Sequence, residues 1–245
     1  MTGICENKHR ITSVEVNKHR FLRTSAFFTL LQLISIDHTT ALGMGREKTL
    51  DKGYLWIIAK QRAEISRMPD YDEDIIISTW PGETMHMLFP RYYEMKTDDG
   101  ELLAKASAVW SLIDENSREL IDPAEHGIHI EGITTGSEID LLSGPVPNEI
   151  SETAQLTVPF SYVDINGHVN NARYFDMADD IIPAAKAGLM PKLISVRYAS
   201  ETNEGDTLTI NCGFKPDESG SEYSGSYYVT CASGENDKFK MQAVY

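Results

Sequence analysis

The 245-residue chain has only three cysteines, Cys5, Cys212 and Cys231. An odd number with no CxxC spacing excludes a disulfide framework and a Cys-rich zinc site. Long apolar runs are also missing. The longest, Phe27–Ile36, has ten residues, whereas a bilayer-spanning helix needs about 20. Met1–Arg10 is polar and carries no signal-peptide h-region. The expectation is a soluble, cytoplasmic protein without a membrane span. Positive charge is scarce: 22 Lys/Arg face 37 Asp/Glu, a net charge of −15. Bare nucleic acid is therefore excluded as a partner. No GxSxG elbow, Walker A run or GxGxxG run occurs, so neither a serine-hydrolase site nor a nucleotide cofactor is implied. His126 and His129 stand three apart beside Glu125 and Glu131 in a glycine-bearing stretch. That spacing is too weak to assign a metal, and none is expected.

What is present is enough apolar sequence, 41%, to bury a core, over a length that suits two small domains. Charge is uneven. Residues 1–67 carry 11 basic and 6 acidic side chains, a local surplus of +5 in an acidic protein. That surplus reads either as surface scatter or as a docking face for an acidic partner.

Self-similarity is more informative. At an offset of 135 residues, Pro81 meets Pro216, Tyr92-Tyr93 meets Tyr227-Tyr228, Lys105 meets Lys240, and Ala108-Val109-Trp110 meets Ala243-Val244-Tyr245. Each half reads as an opening strand, a long helix and an antiparallel meander. In the first half the strand falls at Val14–Arg20. The helix falls at Ser25–Met44, with Thr24 or Ser25 as N-cap. Strands follow at Trp56–Ser66, Asp74–Trp80, Arg91–Thr97 and Leu103–Asp114, the last two joined by the hairpin signal Asp98-Asp99-Gly100. In the second half the strand is Ala154–Val163 and the helix Asn170–Lys186. The meander is Lys192–Glu201, Asp206–Phe214, Tyr223–Cys231 and Phe239–Tyr245. The boundaries are 1–121 for the first domain, 122–150 for a Gly/Pro-bearing linker and 151–245 for the second. A helix apolar on most sides, followed by a sheet, predicts a helix wrapped by that sheet, the hot-dog arrangement. The fold class is α+β, a double hot-dog.

Reactive side chains are densest in Asp164-Ile165-Asn166-Gly167-His168-Val169-Asn170-Asn171, between a strand and a helix. Asp164, Asn166 and His168 alternate, so in an extended segment they share a side. Gly167 permits a sharp turn, and the helix start offers free N–H groups for an oxyanion. Thioester hydrolysis needs a group to activate water and a group to hold the oxyanion. On residues alone, a capped polar turn fits the same run.

The run Asp164–Tyr174, DINGHVNNARY, resembles the D-x-N-x-H-x-N-N-x-x-Y motif of acyl-acyl carrier protein (acyl-ACP) thioesterases of bacterial type. Leu50–Pro81, Gly100–Asp114 and Val196–Asp206 are also similar to that family, so the likeness spans nearly the whole chain. It implies a hydrolase that releases free fatty acid from acyl-ACP, without a cofactor. Its catalytic set would be Asp164, Asn166, His168 and Glu201. Glu201 would activate water, Asn166 and helix-start amides would hold the carbonyl, and Asp164 would orient Asn166 and His168. Plant members often carry cysteine after the glutamate. Thr202 stands there in this chain, which argues against a cysteine nucleophile.

The first half has Ser66 at the position equivalent to Glu201, so one active site is expected. The resemblance assigns the chain pocket to that half, with Phe27, Phe28, Leu31, Met44, Trp56 and Met68 as candidates; plain core packing explains the same residues. Arg46, Lys48, Lys60, Arg62 and Arg67 are the candidates for docking an acidic carrier protein that bears a 4'-phosphopantetheine-linked acyl chain. The assembly would be a monomer or a homodimer. An acyl-CoA thioesterase of the same fold is the first alternative. A hot-dog hydratase is less favoured, because its D-x-N-P-x-H pattern spaces Asp and His five apart instead of four. A non-catalytic acyl-binding module is the third reading.

Overall fold

The computed structural model describes residues 3–141 and 150–245. The glycine and prolines at 144, 145 and 147, counted above as linker, lie outside the described residues.

The ten strands of the described residues join one antiparallel sheet in the order β1-β3-β4-β5-β2-β7-β10-β9-β8-β6. The first half supplies β1 (Cys5–Arg10), α1 (Thr24–Ala41), β2 (Tyr54–Ile65), β3 (Asp74–Pro81), β4 (Phe89–Thr97) and β5 (Leu102–Asp114). The second supplies β6 (Glu152–Thr157), α2 (Asn171–Ile181), α3 (Pro183–Lys186), β7 (Leu193–Tyr198), β8 (Thr207–Pro216), β9 (Gly225–Ser233) and β10 (Asn236–Val244). Each half has the same internal order, and the halves meet where β2 pairs with β7. This is the double hot-dog. At the seam Gln61 faces Val196, its own partner under the 135-residue offset. Further out the offset drifts. Pro81 faces Arg91, whereas Pro216 faces Gly225, so the second hairpin is one residue tighter.

The helices pack inside the curl of the sheet. Phe28 of α1 stacks on Phe175 of α2 with ring centroids 4.1 Å apart, and Phe175 meets Phe239 of β10 edge-on. All three rings are at most 2% exposed. Burying a phenylalanine contributes roughly 2–3 kcal/mol, so this cluster ties the two halves together.

Three expectations are corrected. The opening strand is Cys5–Arg10, a mostly exposed, charged edge strand without the apolar alternation that betrays a strand. Val14–Arg20 is turn instead. The Glu15 carboxylate accepts from Thr12 N at 2.8 Å, Asn17 Oδ1 accepts from His19 N at 2.9 Å, and Arg20 has a φ of 74°. These local hydrogen bonds compete with a ladder. Second, the N-cap of α1 is Arg23, which makes no side-chain capping bond, and Thr24 and Ser25 already lie within the helix. Third, Asn170–Lys186 is not one helix. Pro183 has no N–H and forces Ile182 into an extended conformation (φ −77°, ψ 116°), so α2 stops at Ile181 and Pro183 starts α3.

Candidate active site

The β2–β7 ladder ends at Lys60–Arg197, next to a bulge in β2 between Ile58 and Lys60. Beyond it the strands part. The gap between Trp56–Ala59 and Tyr198–Glu201 is a cavity of about 440 Å³. The run Asp164–Asn171 closes one side of it.

That run is a tight loop with its own hydrogen bonds. Asp164 N–H donates to His168 O (2.9 Å), Gly167 N–H to Asp164 O (3.0 Å) and Asn166 N–H to Asp164 Oδ1 (2.9 Å). Gly167 has a φ of 80°, a left-handed conformation that favours glycine. Asn170 caps α2 by accepting from Ala172 N at 3.0 Å. Its Nδ2 reaches Asp164 Oδ2 at 3.4 Å. Asp164 thus fixes the loop backbone and the cap. Among the described residues its carboxylate makes no hydrogen bond to the His168 ring or to the Asn166 side-chain amide, so it reaches those two residues through the loop backbone.

Glu201 follows β7 in a pinned segment. Its carbonyl accepts from Lys238 Nζ at 2.5 Å. Next to it, Thr202 is 1% exposed, its carbonyl accepts from Val169 N at 2.8 Å, and its hydroxyl accepts from Tyr174 O–H at 2.6 Å. Thr202 therefore holds the Glu201 segment against the Asp164 loop.

These supports bring His168 Nε2 within 3.1 Å of Glu201 Oε2. A third group had no warning in the sequence. Arg118 forms an ion pair with Glu201 Oε1, and its Nη2 lies 3.5 Å from His168 Nδ1. An arginine N–H only donates, so Nδ1 is the acceptor and Nε2 carries the proton donated to Glu201. Burial and the Arg118 charge hold the His168 pKa below its ordinary value, with Asp164 opposing.

Arg118 comes from the first half, fifty residues before His168. Asp114 Oδ1 accepts from Asn116 N and Ser117 N at 2.9 and 2.8 Å, and Arg118 takes a φ of 60°. The turn after β5 thereby aims Arg118 across the seam. The Asp-Glu-Asn-Ser-Arg stretch signals a turn, but no spacing rule says what the turn points at.

The Asn166 side chain makes no hydrogen bond among those of the described residues, and it borders both the cavity beside His168 and Glu201 and a second cleft. Its amide is thus open to a carbonyl oxygen. The helix start offers less than expected, because Ala172 N is taken by the Asn170 cap. The second cleft, about 270 Å³, shares Gln32, Leu55, Trp56, Trp110 and Asn166 with the cavity and runs into the first half beside α1.

Of the chain-pocket candidates, Met44 and Trp56 line that cleft. Phe27, Phe28, Leu31 and Met68 lie in the packed core at 2% exposure or less and line neither cavity. The docking candidates occupy three places. Arg46 and Lys48 stand on a short helical turn at the cleft mouth, Arg46 paired with Asp51 at 2.8 Å. Lys60 and Arg62 belong to the central strand β2, with Arg62 paired to Glu64 at 3.0 Å. Arg67, beyond β2, is held by Glu73 and Glu101 at 2.7 and 2.9 Å.

Comparison with known proteins adds an independent line. Residues 4–127 match the family profile of the acyl-ACP thioesterase N-terminal domain, and residues 146–242 match that of the C-terminal domain. A curated acyl-[acyl-carrier-protein] hydrolase of Cuphea viscosissima is 22% identical over 67% of this chain, and the match spans 43% of that longer protein. Two solved structures share the fold. A proposed oleoyl thioesterase from Lactobacillus plantarum superposes with a TM-score of 0.84 at 23% identity, covering 98% of this chain and 94% of that one. An acyl-ACP thioesterase from Bacteroides thetaiotaomicron gives 0.78 at 22% identity, covering 99% and 97%.

Proposed function

The chain belongs to the acyl-ACP thioesterase family, and on that premise we propose that it hydrolyses fatty acyl-acyl carrier protein to free fatty acid and the carrier's thiol, ending chain elongation. The observation that carries this reading is the Glu201–His168 contact of 3.1 Å in a cavity that shares Trp56 and Asn166 with the cleft running into the first half.

Glu201 is the base. It accepts a proton from the attacking water while His168 and Arg118 keep its carboxylate in place. Asn166 donates to the thioester oxygen as charge builds there. The tetrahedral intermediate collapses with loss of the thiolate, which takes up the proton that Glu201 removed. Asp164 and Asn170 hold the loop, and Thr202 holds the glutamate. In this division residues 151–245 supply most of the chemistry, and residues 1–121 hold the acyl chain and contribute Arg118.

The carrier arm would enter beside Arg46 and Lys48, where Ile165 stands 95% exposed on the catalytic loop. No helix of the described residues is long and apolar enough to cross a membrane, which suits a cytoplasmic enzyme. Because β2 and β7 join within one chain, a monomer or a homodimer would serve equally.

The test offers the full chain a set of acyl thioesters on carrier protein and on CoA, with mass spectrometry of the products. Free acid and thiol, released faster from the carrier protein, are expected. Equal rates on CoA would move it to the acyl-CoA thioesterases. Conversion of a trans-2-enoyl thioester to the 3-hydroxy product without thiol release would make it a hydratase. Tight binding without turnover would make it an acyl-binding module.

A further inference from the structure

Arg91 on β4 is 4% exposed and borders the acyl cleft. Its Nη1 donates to His38 Nδ1 at 3.1 Å and to Thr79 Oγ1 at 3.3 Å, and its Nη2 donates to Thr39 Oγ1 at 3.0 Å. All three acceptors are neutral. Burial and the Arg91 charge push the His38 pKa down to about 4. Among the described residues, no carboxylate forms a hydrogen bond or ion pair with Arg91. Six other arginines, Arg10, Arg46, Arg62, Arg67, Arg118 and Arg173, each pair with one. Arg20, Arg23 and Arg197 form no such pair among the described residues, but Arg91 is the only buried arginine there. A buried guanidinium normally needs such a partner to offset its desolvation.

The donor count sharpens the point. A guanidinium has five N–H groups, and the three recorded bonds leave two. His38 adds another. Its Nδ1 accepts from Arg91, so the proton sits on Nε2, which is buried without a partner. Around Arg91, then, donors are in excess and no carboxylate is paired with them among the described residues.

The cleft is also graded. Its near end shares Asn166 and Trp56 with the catalytic cavity. Its middle is apolar, with Trp56 and Phe89 edge to face, ring centroids 4.8 Å apart. Arg91 lies two residues beyond Phe89 along β4, between Pro81 of β3 and Ala108 of β5. Asn166, these rings and Arg91 line one cleft, so a chain entering beside Asn166 and passing the rings can bring its end to the guanidinium. A methyl terminus there would leave the charge uncompensated and remove more water from it. A carboxylate would complete a two-pronged charge-assisted pair.

We propose that Arg91 forms a subsite for a carboxylate at the distal end of the acyl chain, so that the cleft takes acyl groups derived from α,ω-dicarboxylic acids. The proposal rests on the hydrolase reading for the thioester end only. Its test uses acyl-pantetheine amides, with nitrogen in place of the thioester sulfur, titrated calorimetrically against the full chain. A length series is made in three forms: methyl-ended, ω-carboxyl and ω-methyl ester. The best ω-carboxyl ligand should bind at least about tenfold tighter than any methyl-ended or ester ligand. Arg91→Met should erase that preference, and Arg91→Lys should keep part of it. Equal or weaker binding of the ω-carboxyl series to the wild type overturns the subsite, whether or not the variants fold. Parallel hydrolysis of the matching carrier-protein thioesters separates the two readings. Rapid release of methyl-ended chains with none from ω-carboxyl chains sinks the subsite and leaves the hydrolase. An amide preference without cleavage of any thioester sinks the hydrolase and leaves the subsite.

Discussion

The two halves share a strand order but differ where strand meets helix. In the second half the chain enters α2 through a hydrogen-bonded loop, and the helix has 11 residues with an asparagine cap. In the first half it enters α1 with no side-chain cap, and the helix has 18 residues. The length difference has a consequence. The extra turns of α1 carry Ser35, Ile36, Thr39 and Thr40 along the cleft, whereas α2 stops at Ile181, ahead of Pro183. One copy of the fold has kept a short helix with a reactive entrance, the other a long helix with a groove beside it. Arg118 crosses the seam, so the first half reaches the Glu201–His168 pair of the second.

The sharpest way to break this comparison is to remove the chemistry from one half. Glu201→Ala and His168→Ala should each lower kcat about a hundredfold or more, the usual scale for a positioned acid-base group, in a thiol-release assay. Ser66→Ala, at the equivalent place in the first half, should change nothing. A comparable loss in Ser66→Ala would mean that both halves are catalytic.

Arg118 tests whether the halves cooperate. Arg118→Ala should cost roughly tenfold in kcat/KM, about 1.4 kcal/mol of barrier. It should also change the pH profile. Arg118 helps to hold the His168 pKa below its ordinary 6.5, so the wild-type rate falls only when acid reaches that lowered pKa. Removing the cation raises the His168 pKa, and the acid limb should move to higher pH. The same sign applies to stability. A histidine with a depressed folded pKa contributes fully above its unfolded pKa, and that contribution is lost as pH falls through the folded value. NMR titration of the His168 ring gives a direct reading. An unmoved ring pKa in Arg118→Ala would leave Arg118 no role at the imidazole.

How much of this was legible in the sequence follows from how local each signal is. The hairpins and the Asp164–Asn171 loop are written in neighbouring residues: Asp-Gly turns, alternating apolar positions, a glycine with positive φ. The edge strand Cys5–Arg10 was missed because its pairing with β3 is long-range and its side chains face solvent. Phe27, Phe28 and Leu31 have the composition expected of an acyl pocket, yet helix phase turns them into the core, while Ile36 and Thr39 face the cleft. Arg91 and Arg118 were invisible as partners of the cleft and the site, since what defines each is a neighbour far away in the chain.

Thr202 separates a chemical role from a structural one. The sequence comparison made it the residue standing where some relatives have cysteine. Thr202→Ala removes the acceptor of the Tyr174 hydroxyl and leaves that group buried and unpaired. A loss of about 1–3 kcal/mol in denaturant unfolding is expected, with kcat changed only a fewfold. Thr202→Ser, which keeps the hydroxyl, should restore most of the stability. A kcat loss as large as that of Glu201→Ala, not rescued by serine, would put the threonine into the chemistry.

The smallest effect is expected from the cysteines. Cys212 and Cys231 are at most 1% exposed, and they lie on β8 and β9, outside both catalytic segments. Burial pushes each thiol up to about 11, so neither is a thiolate at neutral pH, and the thiolate is the nucleophilic form. Cys5 is on the edge strand β1 of the half that lacks the reactive loop, and its pKa is also raised by burial and by Asp37. Replacing all three with serine should leave kcat within about tenfold of wild type. Its measurable cost should be in stability, because a hydroxyl at Cys231 needs an acceptor that a packed site does not readily provide. Iodoacetamide on the folded protein should likewise leave thioester cleavage intact. If alkylation abolishes activity in the wild type, and one single cysteine variant resists it, then a thiol takes part in the reaction and water is not the nucleophile that Glu201 activates.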